Sequence, residues 1–172
     1  MIRTLVNAWK VADIRKKILF TAFIILIFRI GSVIPVPFLD IVDEIDIGKG
    51  NTILTYLSLM TGSAFTYGTI FAMSITPYIN SSIIMQLLAV AIPALERLQK
   101  EGEEGRKKIA SITRYVTVVL AILQSLAYYF FLRSNNYLMT GDFTLVDEIF
   151  QAFVIISVLT AGTAIIMWLG EQ

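Results

Sequence analysis

Side chains able to do chemistry are scarce in this sequence and poorly placed for it. Its 172 residues include no histidine and no cysteine. That removes imidazole acid–base catalysis, the commonest zinc ligand, thiolate metal sites and disulfides. The acids and bases sit in short polar runs, Arg29 and Arg114 apart, and they form no carboxylate pair or metal cluster. "KEGEEG" at 100–105 has glycines but lacks the preceding strand and the closing Lys–Ser/Thr of a phosphate loop. What remains is one polar constellation in an oily run. Thr76, Asn80, Ser81, Ser82 and Gln86 lie in "SITPYINSSIIMQLL" at 74–88, with Pro77 among them. Lipid satisfies none of these groups, so they must face other helices or water. Without a single Asp, Glu or Lys in the apolar depth, ion-coupled transport is disfavoured.

Ile75 and Ile79 flank the proline and, four apart, share a helical face. Pro77 leaves the Met73 carbonyl without its usual amide partner, so it reads as a helix break. Two readings stand. In one, a kinked span uses its polar groups to bind neighbouring helices. In the other, Ile75 and Ile79 line a pore as an apolar constriction that gates by dewetting.

The elements that must position these residues follow from composition and charge. With 56% hydrophobic and 16% charged residues and a mean hydropathy of +0.75, the chain reads as an all-alpha polytopic membrane protein. Residues 1–17 carry Arg3, Lys10, Arg15, Lys16 and Lys17 against Asp13, and suit an amphipathic helix on the cytoplasmic surface. No cleavable signal peptide is apparent. A first span is expected at 18–34, interrupted by Arg29 and closed by Pro35 and Pro37, followed by an acidic external loop at 35–50.

Asn51 to Leu95 carries no charge, and one continuous helix over it would be roughly 68 Å long, about twice a hydrocarbon core. Arg97, Lys100, Arg106, Lys107, Lys108 and Arg114 mark 93–108 as a basic cytoplasmic loop, able to meet RNA or an acidic protein surface. The N-terminus lies on the same side by the same rule, so the uncharged run crosses once. That leaves 51–68 as a partial element, with Ile53, Leu54, Leu57 and Met60 at helical spacing and Gly62 breaking the helix. Protein or an aqueous cavity must surround such an element. Further spans are expected at 69–92, 109–132 and 149–169, separated by an external loop at 133–148 and ending at a cytoplasmic 170–172. "AYYFFL" at 127–132 reads as an outer aromatic belt, and "TAGTA" at 160–164 as a small-residue face for close helix contact.

Five stretches, in order and at matching spacing, resemble the SecY family, the protein-conducting channel subunits related to eukaryotic Sec61 alpha. They are "FRIGSVIPVP" at 28–37, "SITPYINSSIIMQLL" at 74–88, "EGEEGRKKI" at 101–109, "TRY" at 113–115 and "TAGTAIIMWLGEQ" at 160–172. The resemblance implies the first four transmembrane helices of a ten-helix channel, with a plug half-helix at about 52–65 containing Ile53, Leu54, Leu57, Met60 and Gly62. It places Ile75 and Ile79 in the pore ring, and Gln86 and Gln124 at the lateral gate through which signal sequences leave for lipid. It implies a bacterial plasma-membrane protein with a cytoplasmic N-terminus, no cofactor and no reaction of its own. Implied partners are SecE-like and SecG-like small membrane subunits, a SecA-like motor ATPase, the ribosome and nascent chain, signal peptides and lipid. Such a subunit carries unfolded secretory proteins across the membrane and inserts membrane proteins laterally. The resemblance ends after four spans, so a partial form of the subunit is expected. The sequence departs from the family at "LMTGSAF", where relatives have paired glycines, and at Thr76, often methionine. The alternative is a four-span scaffold without a pore, which requires Asn80 and Gln86 satisfied internally and Ile75 and Ile79 packed dry.

Overall fold

A computed structural model describes residues 12–40, 52–62, 64–139 and 145–171. Among them are six helices: α1 (Ala12–Gly31), α2 (Thr52–Thr61), α3 (Thr76–Ala91), α4 (Pro93–Lys100), α5 (Glu103–Ser134) and α6 (Leu145–Gly170). The protein is all-helical, as its sequence pattern requires. Most of the surface segment at 1–17 and the acidic run at 41–50 lie outside the described residues.

α5 and α6, with 32 and 26 residues, are each long and apolar enough to cross a membrane. α3 and α4 together pass the same test but are bent by 101°. Among the described residues, two helices thus pass by length and composition, or three if the bent pair is one span. α1 is 20 residues long, but Arg15, Lys16, Lys17 and Arg29 break up its apolar stretch.

The expected second span, 69–92, is helical only from Thr76 to Ala91, about 24 Å at 1.5 Å per residue. Pro77 stands in the first turn of α3, where its missing N–H costs nothing, so it opens the helix and does not kink one. Ser74 immediately before has φ 51°, a left-handed conformation that no continuing helix accepts. At the other end Ile92 is extended and Pro93 starts α4, which turns away.

Residues 64–75 form a chain of turns that is largely buried inside the protein, Tyr67 apart. Ala64, Thr69 and Ala72 are each 1% exposed, and Phe65, Phe71 and Met73 are buried beside them. Backbone groups in such a place must be satisfied by protein. Ile70 N–H donates to the Ile34 carbonyl at 3.0 Å, Val36 N–H to Gly68 at 2.9 Å, Ala72 N–H to Thr69 at 2.9 Å and Ser74 N–H to Phe71 at 2.9 Å. Tyr128 Oη on α5 donates to the Phe65 carbonyl at 2.7 Å.

Close approach makes this burial compatible with helix packing. A methyl added at Gly162 of α6 would run into the Ile70 carbonyl, and one at Gly31 of α1 into the Phe71 ring. The "TAGTA" face therefore meets unwound backbone where a second helix was expected. The aromatic belt is corrected likewise. Tyr128 and Tyr129 are buried in the main core with Phe65, Met73, Leu132, Ile155 and Leu159, whereas Phe130 is exposed. The segment beyond α1 closes the outer end of this core: Met139 N–H donates to the Phe38 carbonyl at 3.2 Å and Asp40 N–H to Tyr137 at 3.0 Å. α5 itself stops at a left-handed Asn136, with Tyr137 N–H returning to the Leu132 carbonyl at 3.1 Å.

Candidate functional site

α3 divides the polar constellation between two faces. Pro77, Ser81, Met85 and Ala89, four apart, form a buried stripe that packs on α5. The opposite stripe carries Ile79, Ile83, Gln86 and Val90, all exposed, with exposed Asn80 beside it. The residues read together in the sequence therefore do two different jobs.

On the buried side, Ser81 is 0% exposed and Thr117 of α5 1%. Ser81 Oγ lies 2.6 Å from Thr117 Oγ1 and 3.0 Å from the Thr113 carbonyl oxygen. Thr117 Oγ1 reaches that same carbonyl at 2.7 Å. Two hydroxyl protons serve three short contacts, so one hydroxyl donates to the other and the second donates to the carbonyl. Sequence reading missed Thr113 and Thr117, although their four-residue spacing on an apolar helix was a visible signal for a hydroxyl face.

On the other side stand the two isoleucines. Ile75 is not helical: it caps α3 at φ −90° and ψ 0°. Its carbonyl accepts from Ile79 N–H at 3.1 Å, which keeps the two residues one turn apart. Ile75 is half-buried, with its Cδ1 beside Gly170 at the end of α6, while Ile79 is 42% exposed. Their expected common helical face thus begins only at Ile79.

α2 precedes them as a 10-residue helix, about 15 Å long, which is half a span. The side chains of Ile53, Leu54, Leu57 and Met60 lie outside the described residues, though their backbone is helical. Gly62 follows at φ 61°, exposed, and ends the helix in the conformation that glycine adopts without strain. Thr61 Oγ1 then accepts from Phe65 N–H at 3.3 Å, tying α2 to the buried turns.

The two glutamines are not brought together. Gln124 of α5 helps line an apolar cavity of about 290 Å³ with Thr61, Met73, Thr76 and Phe131. Gln86 lines a separate cavity of about 250 Å³ between α3 and α5, with Arg106 and Ile109. Its amide donates to Ser82 Oγ at a long 3.4 Å. Arg106, Lys107 and Lys108, expected in a loop, occupy the opening turns of α5, because that helix starts at Glu103, six residues earlier than 109. Glu103 and Glu104 suit its first turn electrostatically, and all three bases are exposed. Arg114 pairs with Glu171 at 2.7 Å and so joins the basic end of α5 to the end of α6.

Residues 69–172 match the family model described as SecY. The whole chain is similar to the protein translocase subunit SecY of Streptomyces scabiei, 42% identical over 179 residues, which covers 99% of this chain and 41% of that protein. The SecY of Streptomyces coelicolor is 41% identical over 179 residues with the same coverage. That of Mycobacterium tuberculosis is 37% identical over 180 residues, again 99% of this chain and 41% of its own length. The chain thus spans about two fifths of the curated relatives that it matches. An all-helical chain with apolar helices of spanning length and this match over most of its length belongs to the SecY family of membrane proteins.

Proposed function

We propose that this chain forms the N-terminal part of the channel subunit of a protein translocase. In this reading it contributes one wall of a pore through which unfolded secretory proteins cross the plasma membrane and membrane segments leave sideways into lipid. The observation that carries it is the buried, non-helical run from Ala64 to Ile75, with a half-length helix before it and Ile79 exposed just after it. A membrane protein tolerates unwound backbone at depth only where protein or an aqueous path surrounds it.

Ile75 and Ile79 serve as this chain's share of an apolar constriction. Branched apolar side chains close around a passing segment without hydrogen bonding to it, and they exclude water when nothing passes. α2 with Gly62 serves as the plug, and the exposed stripe of α3 with Gln86, together with Gln124 of α5, as one side of the lateral gate. The N-terminus and the Arg106–Lys108 end of α5 face the cytoplasm, within reach of a ribosome or an ATPase motor. Small membrane subunits complete the assembly.

The four-span scaffold required Asn80 and Gln86 to be satisfied inside the bundle and both Ile75, which is half-buried, and Ile79 to be packed dry. Asn80, Ile79 and Gln86 are exposed, and nothing supports that alternative. The test is electrical. Replacing Ile75 and Ile79 by glycine in the complete channel in planar bilayers is expected to open a resting leak to small ions. Conductance equal to that of the unaltered channel would refute the pore assignment.

A further inference from the structure

Both ends of α3 are mechanically soft joints. At its start Ile75 makes no side-chain cap, Pro77 lacks an N–H, and Ser74 is left-handed. At its end Ile92 is extended, so α4 does not continue the helix. The helical ladder of α3 is therefore not continued by either neighbour, and its rotation depends on the contact along α5. Its buried stripe, Pro77, Ser81, Met85 and Ala89, is mostly small or adaptable, and such surfaces slide and turn more easily than interlocked large side chains. One feature of that stripe is directional: the hydroxyl contacts from Ser81 to Thr117 and to the Thr113 carbonyl.

We infer that Ser81 and Thr117 are positioning residues for the constriction, a hydroxyl clamp that sets the rotation and depth of α3 and thereby aims Ile79 away from α5. This rests on the pore reading proposed for Ile75 and Ile79. The geometry is simple. Ile79 lies two residues before Ser81, about 200° around the helix at 100° per residue. A clamp at Ser81 therefore holds Ile79 on the far face. A turn of α3 by one residue position would swing Ser81 off the Thr113 carbonyl and carry Ile79 toward its neighbours by the same angle. Ser81 is 0% and Thr117 1% exposed, so no water competes for these hydrogen bonds. Losing one of the two hydroxyls leaves the other with one buried hydrogen-bond partner fewer.

Thr117→Val removes the hydroxyl at nearly constant volume, whereas Thr117→Ser keeps the hydroxyl and removes a methyl. These 172 residues hold no cysteine, so in a complete channel whose other segments are made cysteine-free one introduced thiol reports position unambiguously. Met85, 3% exposed against α5, is the reporter. In the complete channel in vesicles, Met85→Cys is expected to label slowly with a membrane-permeant thiol reagent. Adding Thr117→Val should speed labelling about two- to tenfold, the range set by one net hydrogen bond, and raise the resting ion leak. Thr117→Ser should leave both near the starting values. Equal acceleration by valine and serine would mean that packing, not the hydroxyl, holds α3, and would overturn the clamp. Faster labelling without a leak would overturn its role in the constriction. If glycine at Ile75 and Ile79 opens a leak but Thr117→Val changes nothing, the clamp fails and the pore reading survives. If the glycine variants do not leak, the pore reading fails on its own evidence, and the positioning role falls with it.

Discussion

Gly162 offers a sharp test of the buried turns, because two opposing effects can be weighed there. It lies inside α6, where alanine in place of glycine stabilises a helix by about 0.5–1 kcal/mol. A Cβ at that position, however, meets the Ile70 carbonyl oxygen and then the Ile70 side chain. The first obstacle is backbone, pinned by the Ile70 N–H bond to the Ile34 carbonyl at 3.0 Å, and it cannot rotate away as a side-chain tip could. Overpacking of this kind costs about 1–3 kcal/mol, and a rigid neighbour favours the upper half of that range. Gly162→Ala is therefore expected to destabilise by about 1–2 kcal/mol after the helix gain is deducted. Gly170 is the internal control. It lies in the same helix, and a Cβ there meets only Ile75 Cδ1 at 3.8 Å, an ordinary contact. Gly170→Ala should be neutral or stabilising. Denaturant unfolding of the channel in detergent, followed by tryptophan fluorescence, separates the two. A Gly162→Ala midpoint equal to or above that of Gly170→Ala would refute the packing of α6 onto the unwound segment.

Two further substitutions probe the same core. Tyr128→Phe removes the Oη bond to the Phe65 carbonyl and leaves that carbonyl with one partner fewer, a loss of about 1–2 kcal/mol. Amide hydrogen exchange should rise across 64–74 while α6 stays protected, and uniform exchange throughout would contradict a local latch. Ser125 is 0% exposed and its Oγ has no hydrogen-bond partner among the described residues. Ser125→Ala should leave stability unchanged or raise it by up to about 1 kcal/mol. A clear loss in thermal unfolding would mean that this hydroxyl has a partner after all.

The sequence made the helices and the single oily run legible, but not where that run stops being helical. The reason is physical. "TYGTIFAMSITPYIN" has continuous hydropathy, and hydropathy is blind to backbone conformation. The unwinding comes from Ser74 in a left-handed conformation and from hydrogen bonds with Ile34, Val36 and Tyr128, all distant in sequence. Pro77 was visible, yet a proline at the first turn of a helix and one within it look alike until the start of the helix is known. The basic residues were legible as a surface, but their charge said nothing about helicity, and α5 simply extends through them. Asn80 and Ser81 were indistinguishable as polar neighbours. Being adjacent they point about 100° apart, and only the partner helix decides which is buried.

A 16-residue helix is too short to span a membrane alone, at about 24 Å against a core near 30 Å. The buried turns make up the difference, and this has a consequence for motion. A continuous helix resists rotation along its whole length, because every turn is bonded to the next. The helical bonding of α3 stops at both ends, so its rotation is set largely sideways, by the helix that it lies on. α5, at 32 residues, is the long element with which α3, α4 and α6 all make contact, and it is the frame against which α3 is set. Short length, interrupted ends and a directional hydroxyl contact with α5 are the features that set the position of α3. A helix built only for stability would have gained by running straight through.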